Sequence, residues 1–170
     1  MNEKMICIST GSFNSSEYHY IPSDKPDANF KVFLKRQNKL EYSIEDGGDG
    51  FYIRTNLKAK NFRLMKTSYE KRDTKYWSNV IPHKNDSYLT SFTIFKNFIA
   101  TKTRNQGLTH INILNRKTKK IQSIDFPDPI YVAGTHTNVE YGTNKIRYYY
   151  ESLVQPESIF DFNMETGQQE

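Results

Sequence analysis

Four histidines, one cysteine and one Gly-Ser pair are the residues of this chain whose side chains could support metal or nucleophilic chemistry. The histidines are His19, His83, His110 and His136. Successive ones are 64, 27 and 26 residues apart, and none forms the i, i+4 pair that places two imidazoles on one helix face. The single cysteine, Cys7, cannot form an intrachain disulfide or a paired-cysteine zinc site, so we interpret it as a small apolar core residue. Gly11-Ser12 lies outside any Gly-x-Ser-x-Gly motif.

The segment Asp46-Gly47-Gly48-Asp49-Gly50 clusters carboxylates and glycines as calcium-binding loops do. It lacks the bidentate glutamate and the remaining ligand positions of a 12-residue loop. Asp-Gly pairs also favour the positive φ angles of hairpin turns. We therefore predict a turn here, with a cation site as the alternative, and the sequence predicts no catalytic, metal-binding or cofactor-binding residues.

Basic residues outnumber acidic residues 24 to 19, a net charge of +5 that raises nucleic acid as a partner. The only dense cluster, Arg116-Lys117-Thr118-Lys119-Lys120, lies between two segments of alternating apolar residues. That position favours a solvated hairpin turn, and a phosphate-binding patch is the alternative. Nucleic acid is therefore a disfavoured partner.

Tyr148-Tyr149-Tyr150 could stack nucleic-acid bases, as aromatic side chains do in single-strand binders. Alternation along a strand instead sends the outer two tyrosines to one face, which favours packing in a core. Trp77 precedes another short apolar segment, and we expect it to fill a gap between two sheets.

The amino-acid composition of the chain is typical of an all-β protein, so strands should position the residues described above. Val, Ile, Thr, Tyr, Phe and Trp number 58 of 170, against 32 for Ala, Leu, Met, Glu and Gln. No window approaches 18 consecutive apolar residues, which excludes a membrane-spanning helix. The segment Met1 to Ile8 lacks the apolar core and cleavage site of a secretory leader, so we expect a cytoplasmic protein.

Short alternating strands recur about every 47 residues. One strand type is represented by Tyr18 to Tyr20, Phe62 to Leu64, Ile111 to Ile113 and Phe160 to Phe162. A second type precedes each of these, at Ile6 to Thr10, Phe51 to Thr55, Phe98 to Thr103 and Ile146 to Ser152. A third type follows, at Lys31 to Leu34, Trp77 to Ile81 and Ile121 to Phe126. A fourth opens each unit, at Leu40 to Ile44, Leu89 to Phe95 and Ile130 to Thr135.

Four strand types in one repeat predict the four-stranded blades of a β-propeller. The segments divide into three, four, four and three strands, over about 5 to 35, 40 to 82, 90 to 126 and 130 to 163. Closed propellers need about four to eight blades, so we predict an incomplete β-propeller of three to four blades. Thr166-Gly167-Gln168 predicts a further turn that returns into a pairing strand, and we interpret the chain as a fragment.

A series of motifs resembles the propeller of the oligopeptidase B branch of the prolyl oligopeptidase family of serine peptidases. The motifs are Glu41-Tyr42-Ser43, Phe51 to Asn56, Asn61 to Leu64, Trp77 with Val80 to His83, Gln106-Gly107-Leu108, Ile146 to Leu153 with Pro156, and Met164 to Gly167. Their order and spacing match the family over nearly all 170 residues. Two segments depart from the family pattern. Where family members carry an acidic pair and an Arg before the glycine, this chain has Lys102-Thr103-Arg104. Where they carry a double serine, it has Glu151-Ser152.

The resemblance implies that residues 1–170 are part of the N-terminal propeller domain, which has seven blades, of an enzyme that cleaves short peptides after Arg or Lys. It also implies that the Ser, Asp and His of the triad lie in a separate α/β-hydrolase domain absent here. The propeller would then gate substrates by size, without cofactors, and would pair with a complementing hydrolase fragment where one is made. The alternative is a stand-alone interaction module for an acidic or nucleic-acid partner. Because the neighbouring blades are missing from a fragment of this kind, we expect the strands at Ile6 to Ile8 and Ile146 to Tyr150 to expose apolar faces to water.

Overall fold

A computed structural model describes residues 4–170, so Met1 to Glu3 of the segment inspected for a leader lie outside the described residues. Within that range the chain forms fourteen strands and one single-turn 3-10 helix, Thr74–Tyr76. The strands are β1 (Met5–Ser12), β2 (Ser15–Pro22), β3 (Lys31–Val32), β4 (Tyr42–Asp46), β5 (Phe51–Thr55), β6 (Arg63–Thr67), β7 (Ser78–Ile81), β8 (Tyr88–Ile94), β9 (Phe98–Asn105), β10 (Leu108–Asn115), β11 (Ile121–Ser123), β12 (Tyr131–Thr135), β13 (Lys145–Ser152) and β14 (Ser158–Asn163). The predicted all-β class and strand count are confirmed.

Every strand of a sheet pairs antiparallel with its neighbours in sequence. The orders are β1-β2-β3, β4-β5-β6-β7, β8-β9-β10-β11 and β12-β13-β14. These are the predicted meanders of three, four, four and three strands. The chain forms two compact units, one up to Asn85 with the first two sheets and one over Asp86–Glu170 with the last two.

The first unit has an aromatic core between its two sheets. Phe51 of β5 is fully buried, and its ring packs edge-on against Tyr20 and Phe33 at centroid distances of 5.1 and 4.9 Å. Trp77 lies 6.1 Å from Phe33 and joins the same cluster just before β7. Edge-to-face contacts of this kind add to the stabilisation from buried apolar area. Trp77 thus fills the gap between two sheets, as the sequence predicts.

The second unit buries the inward-facing residues of β13 against β9 and β10. Ile146, Tyr148 and Tyr150 are at most 2% exposed and share a core with Ile111 and Ile113. Strand alternation accounts for this, because these three residues occupy one face of β13 while Tyr149 lies on the other. The expectation of core tyrosines is confirmed. The expectation that Ile146 to Tyr150 expose their apolar face is wrong, because the neighbouring sheet of the same unit covers it.

Strand β1 is the edge strand of its sheet and pairs only with β2 among residues 4–170. Ile6 and Ile8 are 41% and 47% exposed, as expected for this strand. Cys7 is also exposed, so its interpretation as a core residue is wrong. The reason is its place on an edge strand, where a small side chain is covered from one side only.

Two of the outer strands are shorter than predicted. Strand β3 ends at Val32 and β11 ends at Ser123, although the next backbone amides still donate, Phe33 to Tyr18 O and Ile124 to Ile111 O. Phe33 and Ile124 are 3% and 4% exposed, so the chain leaves regular strand geometry where these side chains enter the cores. After β14, the predicted turn is present and returns the chain to an isolated bridge between Phe162 and Gln169.

Candidate functional site

The candidate metal ligands do not converge. Among residues 4–170, no three His, Cys, Asp or Glu side chains are grouped as a metal site. His19 contacts Glu17, with Nε2 2.9 Å from Oε1, and His110 lies on β10. His83 follows β7, and the exposed His136 follows β12. Each histidine thus belongs to the local structure of a different strand or strand end.

The Asp46 to Gly50 segment is the hairpin turn between β4 and β5, as predicted. Gly47 N donates to Gly50 O at 2.9 Å, and Gly48 adopts a φ of 78°. The Asp46 carboxylate accepts hydrogen bonds through Oδ1 from Gly48 N at 2.8 Å and from the Tyr69 hydroxyl at 2.5 Å. Desolvation, followed by the hydrogen bond to Asp46, raises the pKa of Tyr69 well above its ordinary value. Through Oδ1, Asp46 is therefore part of the hydrogen bonding of the turn.

The remaining candidates are turn residues. The Ser12 and Ser15 hydroxyl oxygens lie 2.7 Å apart across the β1–β2 turn, and this contact does not form a nucleophile elbow. The basic cluster forms the β10–β11 turn, as predicted, with its lysines exposed. Arg116 differs from those lysines, because its guanidinium donates to the carbonyls of Phe95 and Lys96 at 2.9 and 3.0 Å. One cation of the cluster therefore holds two loops of its own unit together.

The departures from the family pattern lie on two hairpins. Lys102-Thr103-Arg104 lies on β9, and Arg104 Nε donates to Gly107 O at 3.3 Å across the following turn. Glu151-Ser152 ends β13, where the Ser152 hydroxyl accepts a hydrogen bond from Gln155 N at 3.2 Å. Both segments keep a defined turn geometry with the residues that this chain carries.

A side-chain network on the outer face of β13 and β14 was not recognised in the sequence. Arg147 donates from Nε and Nη2 to the two carboxylate oxygens of Asp161, each at 2.8 Å. The Asn138 amide braces Arg147, because its Oδ1 accepts from Arg147 N at 2.7 Å and its Nδ2 donates to Arg147 O at 2.9 Å. The hairpin register could have predicted the ion pair, since Arg147 and Asp161 are directly opposite.

Strands β4, β8 and β12 open the last three sheets and form one edge of each. We call these three strands the first-strand edges. They combine buried side chains, such as Ile44 and Ala133, with exposed ones, such as Tyr88 and Val132 at 40% and 56%. Their buried members join the cores while their outer backbone edges carry no further strand of the described chain. Each of the three strands is thus an edge strand at the equivalent position of its own sheet.

Comparison with solved structures shows which fold these meanders form. The chain superposes on oligopeptidase B from Trypanosoma brucei with covalently bound antipain, with a TM-score of 0.88 and 20% identity over 98% of this chain. Oligopeptidase B from Leishmania major gives a TM-score of 0.89, also at 20% identity, over 99% of this chain. The chain covers 25% of each of those proteins. This likeness shows that the four sheets have the fold of the matching part of oligopeptidase B.

Sequence comparison gives the family. The chain is 29% identical over 168 residues to dipeptidyl aminopeptidase BI of Pseudoxanthomonas mexicana and 28% identical over 167 residues to Protease 2 of Moraxella lacunata. It spans about a quarter of these relatives' lengths, 23% and 24%, while 98% of this chain is aligned. Residues 2–170 match the family described as the prolyl oligopeptidase N-terminal β-propeller domain. The chain belongs to this family of β-propeller domains of prolyl oligopeptidases.

Proposed function

We propose that this chain is a propeller segment of an oligopeptidase B-like serine peptidase and contributes steric gating of substrate. The observation that carries the proposal is the repeated meander with its first-strand edges, in a chain that matches the propeller family over residues 2–170. A propeller encloses a central channel, which the first strand of each blade lines. In this arrangement, a short peptide can pass to the active site while a folded protein is excluded.

In this proposal, the chain holds its strands in place and supplies no reacting group. The two buried cores fix the sheet faces, and the hairpin turns are closed by hydrogen bonds within the chain. A hydrolase domain outside this chain would supply the Ser, Asp and His of the peptidase. The partner that the chain requires is therefore that hydrolase domain, whether joined to it or supplied as a complementing fragment.

The proposed specificity is cleavage of short peptides after Arg or Lys. It rests on the resemblance to the oligopeptidase B branch and on the fold shared with two oligopeptidase B structures. The two sequence relatives carry different names, one of them a dipeptidyl aminopeptidase. The specificity assay therefore has to include substrates with a free amino-terminal dipeptide as well as blocked Arg and Lys substrates.

The compartment proposed is the cytoplasm. None of the helical structure in residues 4–170 has the length and apolar character needed to cross a bilayer.

The interaction-module alternative receives no specific support from the basic turn, because Arg116 is bound to backbone carbonyls of its own unit.

A chimeric enzyme tests the gating function. Residues 1–170 would replace the matching segment of Protease 2 of Moraxella lacunata, and hydrolysis of a blocked Arg dipeptide reporter would be compared with hydrolysis of a folded protein. We expect the chimera to cleave the reporter and to leave the folded protein intact.

Phe51→Ala in the chimera should loosen the buried core and increase cleavage of the folded protein, because gating requires rigid blades. Phe13→Ala is the matched control, since Phe13 is fully exposed in the β1–β2 turn. A folded chimera that digests the protein as readily as the reporter would contradict the gating role.

A further inference from the structure

One end of the first unit concentrates positive charge that the order of residues along the sequence does not show. The strands of this unit alternate in direction, so successive connections lie at alternate ends of its sheets. The segments 33–41, 56–63 and 82–85 therefore lie at the same end, although other strands separate them in the sequence. We call the surface formed by these three segments the basic end.

Two asparagine side chains hold the three segments together. Asn56 Oδ1 accepts a hydrogen bond from Glu41 N at 2.9 Å, and Asn56 Nδ2 donates to Lys39 O at 3.1 Å. Asn61 Nδ2 donates to Lys84 O at 3.0 Å. Residues that are 15 to 23 positions apart in the sequence therefore share one surface.

Cations dominate the basic end. It carries seven cationic side chains and a single carboxylate, Glu41, whose Oε1 accepts a hydrogen bond from Asn56 at 3.3 Å. The opposite end of the same sheets, formed by segments 23–30, 46–50 and 68–77, carries four cations and six carboxylates. The first unit is therefore polarised, with a net charge of +6 at one end and −2 at the other. The seven cations of the basic end are Lys35, Arg36, Lys39, Lys58, Lys60, Arg63 and Lys84.

The five lysines are the cations of the basic end that are available to a ligand. Arg36 donates to Thr10 Oγ1 at 2.9 Å and Arg63 donates to Asn79 Oδ1 at 3.4 Å, so both guanidinium groups have partners within the unit. The lysines are exposed, and none of them forms an ion pair within residues 4–170. Ammonium groups gathered on one surface repel each other, and a ligand with several negative charges relieves that repulsion.

The aromatic residues of the basic end favour an acidic peptide over a nucleic acid as this ligand. Proteins that bind single-stranded nucleic acids combine positive charge with aromatic side chains on which the bases stack. The three segments contain no Tyr or Trp, and their two phenylalanines, Phe33 and Phe62, are only 3% and 6% exposed. Peptides are the ligands of the proposed function, on which this choice rests. We propose that the basic end binds the acidic segment of a peptide through its five lysines.

Fluorescence anisotropy of a labelled peptide of ten glutamates, titrated with the 170-residue chain, tests the proposal. We expect the peptide to bind, and its affinity to fall at least about threefold between about 50 and about 200 mM salt, because salt screens the lysines. The corresponding peptide of ten glutamines should bind at least about tenfold more weakly, since it offers no charge to the ammonium groups.

Charge reversal locates the binding surface. Lys60→Glu combined with Lys84→Glu should weaken binding of the glutamate peptide at least about tenfold, because two attractions become repulsions. Lys25→Glu combined with Lys75→Glu is the matched control, since it changes the net charge equally at the opposite end of the same unit. It should change the affinity less than about twofold. Circular dichroism checks the fold of both variants, and Lys60→Gln combined with Lys84→Gln is the milder pair, with an expected loss of about threefold.

Three results would overturn the proposal. They are a glutamate peptide that does not bind, an equal loss of affinity in the two charge-reversed variants, and tighter binding of a ten-nucleotide oligothymidine than of the peptide. The second result would show that only net charge matters, and the third would assign a nucleic acid to the surface. Binding by the chain alone needs no hydrolase domain. Failure of this binding and failure of gating in the chimeric enzyme are therefore distinguishable.

Discussion

Arg147 on β13 and Asp161 on β14 are directly opposite each other and form a bidentate ion pair with both N···O distances at 2.8 Å. The guanidinium and the carboxylate match in geometry, and such paired hydrogen bonds are stronger than those between neutral groups. Asn138 holds the Arg147 backbone from the preceding loop, so the pair also fixes that loop against the hairpin.

The first prediction concerns acid stability. The hydrogen bonds from Arg147 hold the pKa of Asp161 below its ordinary value of 3.8. A carboxyl group whose pKa is lower in the folded than in the unfolded state adds stability at pH values above its unfolded-state pKa. This added stability is lost as the pH falls through its folded-state pKa. Arg147→Gln should raise the pKa of Asp161, measured by NMR titration, and reduce the loss of stability in acid. Lys117→Gln in the exposed β10–β11 turn removes the same charge and should leave the Asp161 titration unchanged.

The second prediction concerns the aromatic core of the first unit. Phe51 is fully buried against Tyr20, Phe33 and Tyr69. Phe51→Ala should lower the free energy of unfolding by about 3 to 5 kcal/mol, because it removes apolar contacts and leaves a cavity. Urea denaturation measures the change, and Phe13→Ala at the exposed turn should be close to neutral. Equal effects of the two substitutions would show that this core does not support the fold.

The third prediction concerns the turn between β4 and β5. Gly50 has a φ of 136°, and a Cβ added there would lie 2.4 Å from Thr67 O of the neighbouring strand. Gly50→Ala should therefore destabilise the fold by about 2 kcal/mol, through backbone strain and this contact. Gly142→Ala is the control, because an added Cβ there meets no atom within 4 Å. Thermal melts of the two variants should differ clearly, and similar melting temperatures would refute the turn geometry.

The fourth prediction concerns alkaline stability. Burial raises the pKa of Tyr148 from its ordinary 10.0 to about 12, and the nearby Tyr150 adds to the shift. The stabilisation linked to this raised pKa is complete below the unfolded-state value near 10 and is lost as pH rises through about 12. Tyr148→Phe should make the decline in unfolding free energy over this range shallower. It also removes the hydroxyl hydrogen bond to Gln169, so stability at neutral pH should fall by about 1 kcal/mol.

Tyr88→Phe is the matched control for the alkaline experiment, since Tyr88 is 40% exposed on β8. Its free energy of unfolding at neutral pH should be close to that of the wild-type chain. If Tyr148→Phe follows the wild-type curve over the alkaline range, Tyr148 does not carry the proposed linkage.

The sequence predicts the fold well where alternation is local. Phe51 to Thr55 is predicted and observed as one strand with the same bounds, because its neighbours on both sides are strands of the same repeat. Tyr148 enters a core as the alternation along its strand indicates, and Trp77 enters a core as its position before an outer strand indicates. The four strand types that recur along the sequence are enough to predict the four sheets, because each strand pairs with its neighbour in sequence.

Properties that depend on the position of a strand within its sheet were not predictable from alternation. Cys7 has an apolar pattern around it and is exposed, because β1 is an edge strand. Arg147 and Asp161 are fourteen positions apart, and their pairing follows only from the hairpin register. The role of Arg116 depends on the loop that carries Phe95 and Lys96, which the basic cluster itself does not indicate.

Peptidase assays of the purified chain test the central claim most directly, namely that this segment contributes enclosure and no chemistry. Blocked Arg-Arg and Lys-Arg dipeptide reporters would be incubated with the 170-residue chain, with and without a serine-directed phosphonate. We predict no turnover above the buffer rate, because the chain carries no nucleophile elbow. Turnover that co-purifies with the chain and is titrated by the phosphonate would contradict the account.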